Sequence, residues 1–318
     1  MIKYIILIII GFYLLIKGAG IFVDGISQTA INLKIPKLLI SLSIVAFGTS
    51  APELFISFQG LIDGNNDIVL ANVIGSTIVN SMLIIGIAAL IKPIIIKNET
   101  IKKQLPLHLL LLIVFAILLL DSTFNGTINT ISRSDGIILF LIFLLFLNYL
   151  YQFSKKHSNV AELTNELPHW STKKSIFLSI IGLIMISIGS DIAVDNCVNL
   201  ANALHISQKL ITMIILVIGT STPELVMAIT SAKKGEFDII LGNIIGTNIF
   251  NIGFVLGLPV IIFGNVPTNS FSIIDMSFMI ISGLMIYFYA KDDRKIDKLE
   301  GLSMIMIFAS YYLYLFLI

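Results

Sequence analysis

GTSAPEL at residues 48–54 and GTSTPEL at residues 219–225 decide the fold of this chain, because one pattern occurs twice inside long apolar segments. An offset of 171 residues carries the first motif onto the second, and the match runs without a gap from Gly18/Gly189 to Gly86/Gly257. Roughly a third of the paired residues along this stretch are identical, which indicates an internal duplication. The sequence therefore predicts two related halves.

The composition is that of a membrane protein, since 57% of the 318 residues are hydrophobic and only 12% are charged. About 18 apolar residues are enough to cross the hydrocarbon layer as a helix. We expect an all-α integral membrane fold with ten transmembrane helices. The predicted spans cover residues 4–24, 36–60, 67–91, 105–122, 135–153, 175–198, 209–232, 238–264, 271–290 and 300–318. The third and eighth contain internal Gly and Asn, which makes them candidates for broken helices.

The spans divide into two sets of five, and this odd number predicts that the halves enter the membrane in opposite orientations. We expect a first five-helix repeat at 1–155, an inner-side linker at 156–174 and a second, inverted repeat at 175–318. Inverted repeats of this kind are typical of secondary transporters, whose binding site lies at the midplane between the repeats.

The distribution of positive charge predicts the orientation of the chain. Loops after the odd-numbered spans hold 16 of the 20 Lys and Arg residues, so these loops are expected inside and both termini outside the cell membrane. The net charge of +1 gives no reason to expect a nucleic-acid partner. Cys197 is the only cysteine, which excludes an intrachain disulfide and a Cys-rich metal site.

Glu53 and Glu224 are the strongest candidates for functional residues, because each lies near the middle of an apolar span. A charge at that depth costs about 2.5 to 3.5 kcal/mol on insertion scales, so intramembrane carboxylates usually serve a function. The alternative is a structural acid paired with a buried base. Only Lys17 lies near the middle of a span, and it is expected to extend its amine toward the interface.

The neighbours of these glutamates predict a site made of oxygen atoms. In both motifs a threonine, Thr49 or Thr220, lies four residues before the glutamate and therefore on the same helical face. The proline before each glutamate has no N–H, so it leaves a carbonyl one turn earlier without its helical partner. Hydroxyl, carbonyl and carboxylate oxygens favour sodium, calcium or magnesium over zinc or copper.

A second pair of motifs is expected to form the other wall of this site. These motifs are ANVIGSTIVN at residues 71–80 and GNIIGTNIFN at residues 242–251. Ser76 and Asn80 share one helical face, as do Thr247 and Asn251, which adds two oxygen ligands from each half.

Together, the four motifs resemble the two alpha repeats of the calcium/cation antiporter superfamily, in its sodium/calcium exchanger branch. The resemblance covers spans 2, 3, 7 and 8, and it implies ten helices, four central cation sites and alternating access by sliding of spans 1 and 6. Carried over by position, it implies that Glu53 and Glu224 bind calcium with the backbone carbonyls of Thr49 and Thr220. The implied sodium ligands are Ser50, Ser76, Ser221, Thr247 and the carbonyls of Ala46 and Val217, with Asn80 at the middle position.

Asn251 is a departure from the family pattern, because many relatives carry an aspartate there. The site then has two carboxylates instead of three, which leaves stoichiometry and proton sensitivity open. In the proton-coupled branch, the resemblance implies a GN-x-x-E pattern in spans 3 and 8. This chain has Gly75 and Gly246 at the positions of that glutamate, which argues against proton coupling.

Sodium/calcium antiport is accordingly the predicted function, with calcium and sodium as transported ions, no cofactor, lipid as the surroundings and a monomer as the functional unit. Three alternatives stay open: a related exchanger using protons, potassium or magnesium, a membrane metalloenzyme, and a channel. The enzyme is disfavoured because neither an HExxH motif nor a Ser–His pair accompanies the glutamates. His108 and the other three histidines are expected near interfaces or in loops, so a histidine metal site is not expected.

Overall fold

The computed structural model of the chain describes residues 1–32, 50–120, 130–156, 170–235 and 237–317. Almost all of these residues are helical. The helices are α1 (Ile2–Asn32), α2 (Ala51–Ile62), α3 (Asn66–Ile91), α4 (Thr100–Leu119), α5 (Arg133–Lys156), α6 (Thr172–Leu204), α7 (Gln208–Thr220), α8 (Thr222–Lys234), α9 (Phe237–Phe263), α10 (Ile273–Asp292) and α11 (Lys298–Leu317).

Eight helices among the described residues are long and apolar enough to cross a membrane, or nine if the bent pair α7–α8 forms one span. The chain is therefore a multi-pass membrane protein. Of the second predicted span, 36–60, only the part from residue 50 onward is described, including the start of α2. Ten spans thus stay a prediction.

The expected breaks in the third and eighth spans are absent, and this part of the prediction is wrong. Both α3 and α9 run on as helices, and each contains one six-residue π-helical turn, at Val79–Ile84 and Asn251–Leu256. The bend lies instead in the seventh span, where α7 and α8 meet at 46°. Pro223 lies in the first turn of α8 and has no N–H to continue the ladder of α7.

Two long helices, α1 and α6, pack against each other through a row of small residues, most of them glycine. A Cβ added at Gly18 would lie 2.9 Å from the carbonyl oxygen of Gly182, and one at Gly182 would lie 2.8 Å from that of Gly18. The same approach recurs seven residues away on either side, and the run is antiparallel. We call this run the glycine seam; its facing pairs are Gly11–Gly189, Gly18–Gly182 and Gly25–Ser175. Small residues allow backbones in a bilayer to approach this closely.

Buried apolar side chains of the described residues form two clusters. The larger cluster joins α3, α4, α5, α9, α10 and α11, and the smaller lies mainly between α1, α6 and the start of α2. In α2, Ala51 and Ile56 belong to the smaller cluster, whereas Leu54 belongs to the larger. Glu53 therefore lies at the boundary between the two cores.

Short antiparallel strands connect loops from the two parts of the chain. Strand β1 (Ile94–Ile95) pairs with β4 (Lys295–Ile296), and β2 (Thr130–Ile131) pairs with β3 (Val266–Pro267). These pairings fix the ends of α3 and α9 relative to their neighbours.

A buried ion pair joins α7, α10 and α11. The Nζ of Lys209 lies 2.6 Å from Oδ2 of the wholly buried Asp275, and the Tyr311 hydroxyl donates to Oδ1 at 2.8 Å. The backbone N–H and hydroxyl of Ser272 also donate to this carboxylate, at 2.7 and 2.9 Å. Asp275, on α10, is thus held by side chains of α7 and α11 and by the N-terminal cap of its own helix.

We expect Lys209→Met to destabilise the protein by about 3 kcal/mol, because it leaves the buried carboxylate without its cation. Lys97→Met is the matched control, since Lys97 also lies 2.6 Å from an acid, Asp238, but both side chains are more than half exposed. The control should cost about 1 kcal/mol or less. Unfolding of both variants in detergent micelles measures the difference, and equal losses would contradict the structural role of the buried pair.

Candidate functional site

The two intramembrane glutamates occupy matching positions in the structure. Glu53 lies in the first turn of α2 and Glu224 in the first turn of α8, each directly after a proline. Their side chains are 1% and 0% exposed. The N-terminus of a helix carries partial positive charge, so both carboxylates lie where the backbone stabilises an anion.

Residues distant in the chain meet around these acids. Thr220, at the end of α7, lies beside the Glu53 carboxylate. Asn251 of α9 donates from Nδ2 to the hydroxyl oxygen of Ser76 in α3 at 3.2 Å. The two pairs of sequence motifs therefore come together at one place in the interior.

Many oxygen atoms at this place have no hydrogen-bond partner among the described residues. All belong to side chains that are at most 2% exposed. They are Ser50 Oγ, Glu53 Oε2, Asn80 Oδ1, Ser221 Oγ, Thr247 Oγ1 and Asn251 Oδ1. Leaving a buried polar atom without a partner costs about 1 to 3 kcal/mol, so six together require an explanation. A partly dehydrated cation would satisfy them, because it interacts favourably with the lone pairs of several oxygens.

Of the remaining predicted ligands, the structure describes two and leaves two outside the described residues. Thr220 and Val217 are both buried in the last turn of α7, where the Thr220 hydroxyl donates to the Val217 carbonyl oxygen at 3.3 Å. The predicted carbonyl ligands Ala46 and Thr49 lie outside the described residues.

Asn72 has a supporting position beside the glutamates. Its Nδ2 donates to the backbone carbonyl of Glu53 at 3.1 Å and lies 3.4 Å from the Ser57 hydroxyl. Ser76, one turn further along α3, donates to the Asn72 carbonyl oxygen at 2.6 Å. The two contacts of Asn72 hold α3 against α2 and fix the direction in which the first turn of α2 points.

The π-helical turns contain the two asparagines of the site, Asn80 and Asn251. The turn in α3 packs against α8, and the turn in α9 packs against α2. Each asparagine therefore lies on a segment that contacts the glutamate helix of the other half. π-helical turns occur often at functional sites, but their residues read equally well as α-helix, and the sequence did not predict them.

His108 is misplaced by the sequence prediction. It is wholly buried in α4, and its Nε2 lies 3.3 Å from Nδ2 of Asn248 in α9. The one available signal was a single polar residue within the apolar run LPLHLLLL at residues 105–112.

Clusters of three or more His, Cys, Asp or Glu side chains suited to a metal do not occur in the described part of the chain. A cation held here would depend on two carboxylates and several neutral oxygens. That ligand set suits a hard cation that must also be released.

Comparisons with known proteins agree with this chemistry. The model of the family described as "Sodium/calcium exchanger protein" matches residues 3–152 and 174–317. The chain is 35% identical over 323 residues to the putative antiporter CaxA of Alkalimonas amylolytica, covering 98% of each protein. It is 25% identical over 272 residues to the Ca(2+)/H(+) antiporter ChaA of Bacillus subtilis, covering 80% of this chain and 77% of that protein. A solved structure of the sodium-calcium exchanger NCX_Mj, soaked with sodium and strontium ions, matches with a TM-score of 0.66, 30% identity and coverage of 97% of each chain.

Proposed function

Since this chain belongs to the sodium/calcium exchanger protein family, we propose that it is a secondary active antiporter that exchanges sodium for calcium across the cell membrane. The observation that carries this proposal is the group of buried oxygens near Glu53 and Glu224 that have no hydrogen-bond partner among the described residues. The solved structure it resembles is named a sodium-calcium exchanger, which favours these two ions.

The charge of the two acids gives a physical reason for obligatory exchange. If the two carboxylates come within about 5 Å of each other at an effective dielectric constant near 20, they repel each other by about 3 kcal/mol, and desolvation adds to this cost. One calcium ion, or two or more sodium ions, cancels the charge. The empty site is then unfavourable in the closed conformation, so the protein changes sides only when it is loaded.

We assign the ligands as the family resemblance implies. Glu53 and Glu224 hold calcium together with the backbone carbonyls of Thr49 and Thr220, and Asn80 lines the centre of the site. Asn251, which departs from the family pattern, is added as a ligand because it shares a helical face with Thr247. The proposed sodium ligands are the hydroxyls of Ser50, Ser76, Ser221 and Thr247 and the carbonyls of Ala46 and Val217. The burial of the described members of this set supports the assignment.

The proposed architecture has ten helices in two inverted repeats, 1–155 and 175–318, joined by an inner linker at 156–174, with both termini outside and a monomer as the functional unit. The glycine seam supports this arrangement, because Gly11 and Gly182 correspond by the 171-residue offset, as do Gly18 and Gly189. Each member of one corresponding pair faces a member of the other, as a twofold relation between inverted halves requires.

Proteoliposomes test the proposed function directly. We expect vesicles loaded with sodium to take up calcium when they are diluted into sodium-free buffer. Vesicles loaded with potassium should take up at least about tenfold less calcium, because they have no outward sodium gradient to drive the exchange. Imposing proton gradients with sodium absent tests calcium/proton exchange, the alternative that the similarity to ChaA raises. Calcium uptake that follows the proton gradient alone would contradict the sodium assignment.

A further inference from the structure

A buried chain of hydrogen bonds connects α4 with the proposed cation site. His108 Nε2 lies 3.3 Å from Asn248 Nδ2, and Asn80 Nδ2 donates to Asn248 Oδ1 at 3.1 Å. Asn248 Nδ2 also donates to the Ser81 hydroxyl at 2.8 Å. All four side chains are at most 1% exposed, so water does not compete for these bonds.

The structure assigns each of these bonds a direction that the chemistry of the amide group allows. The Nδ2 of Asn248 has two hydrogens, and its contacts with Ser81 Oγ and His108 Nε2 use both. In that arrangement the Asn248 Oδ1 faces Asn80 and accepts the hydrogen from Asn80 Nδ2. His108 Nε2 acts as the acceptor, which corresponds to the neutral imidazole with its hydrogen on Nδ1.

The last link in this chain is Asn80 itself. Because its Nδ2 is engaged with Asn248, its Oδ1 is the atom left without a partner among the described residues. A rotated Asn80 amide would present N–H groups at the same place. An N–H repels a cation, whereas a carbonyl oxygen binds one.

We propose that His108 is a positioning residue that acts through Asn248 to keep the Asn80 carbonyl oxygen turned toward the cation. The inference rests on the proposed function, in which Asn80 lines the site. His108 touches no proposed ligand itself, and its ring lies against α10, where a Cβ added at Gly283 would be 3.7 Å from Cε1. The ring is thus confined between α9 and α10 at the height of the site.

The test compares calcium uptake by the intact protein and three variants in proteoliposomes. His108→Leu removes the acceptor, and His108→Asn keeps a polar group that is too short to reach Asn248. Removing residues that orient metal ligands usually lowers metal affinity 10- to 100-fold, so both should raise the half-saturating calcium concentration about tenfold with little change in maximal rate. His108→Gln, whose amide reaches as far as Nε2, should stay within about threefold of wild type.

A matched control and a double-mutant cycle separate positioning from general packing. Ser282→Ala removes a buried hydroxyl of α10 whose hydrogen-bond partner among the described residues is the Met279 carbonyl oxygen, and it should leave the calcium dependence unchanged. In an Asn80→Ala background, His108→Leu should have no further effect, because its target is already gone.

The outcomes are distinguishable. Wild-type vesicles without sodium-driven calcium uptake would overturn the proposed function, and the inference with it. Normal wild-type uptake combined with unchanged calcium dependence in both His108→Leu and His108→Asn would overturn the inference alone. An undiminished effect of His108→Leu in the Asn80→Ala background would also overturn it, since His108 would then act by another route.

Discussion

Replacing either Glu53 or Glu224 by glutamine is expected to abolish sodium-driven calcium uptake. The change is nearly isosteric, so it removes charge while keeping the packing of α2 or α8. The one other fully buried carboxylate among the described residues, Asp275, is already paired with Lys209. A unit charge 4 Å from a cation is worth about 4 kcal/mol at an effective dielectric constant of 20, so we expect a loss of about 100-fold or more.

Uptake of radioactive calcium by sodium-loaded proteoliposomes measures this effect. Glu99→Gln is the matched control, because the same substitution then falls on an exposed side chain and should leave uptake unchanged. Calcium should also raise the melting temperature of the wild-type protein in detergent and fail to raise that of the two site variants. Full uptake by both variants would refute the assignment of the calcium site.

The second large effect is expected from Gly182→Leu in the glycine seam. A Cβ at this position would lie 2.6 Å from the backbone nitrogen of Phe22, so the two helix backbones must move apart. Overpacking of this kind costs about 1 to 3 kcal/mol, and here the displaced atoms are backbone atoms that cannot change rotamer. We expect a lower melting temperature and a loss of transport of about tenfold or more, since the helices adjoining Glu53 are displaced.

Gly20→Leu provides the matched control, because it places the same side chain on α1 where an added Cβ meets nothing within 4 Å. It should melt and transport as wild type does. If both glycine variants behaved alike, close backbone contact along the seam would not be what holds α1 and α6 together.

Features that depend on composition and repetition were predictable from the sequence. The apolar segments are long compared with the uncertainty in where each one ends, so they correctly predicted the positions of nearly all the described spans. The duplicated motifs predicted that Glu53 and Glu224 are buried at matching positions, and both are. Proline beside each glutamate indicated disturbed helices, and the bend between α7 and α8 lies there.

Other features were not predictable, because they depend on packing between helices. The backbone hydrogen bonds of a π-helical turn span one residue more than those of an α-helix, and nothing in the apolar run around Asn80 or Asn251 distinguishes the two. Asn248 breaks the repeat: its counterpart is Thr77, whose hydroxyl bonds the Val73 carbonyl oxygen of its own helix. A comparison of the two repeats therefore does not reveal the hydrogen bond between Asn248 and His108.

The glycine seam also limits which parts of the protein can move against each other. Its contacts recur every seven residues, or about 10 Å along the helix at 1.5 Å per residue. A shorter shift of α1 along α6 would press larger side chains against the backbone of the other helix, at distances where only glycine fits. The two helices therefore have a single register. We expect them to move as one rigid body. In the proposed antiporter, a gating displacement would then occur where this pair meets the larger core, at the boundary on which Glu53 lies.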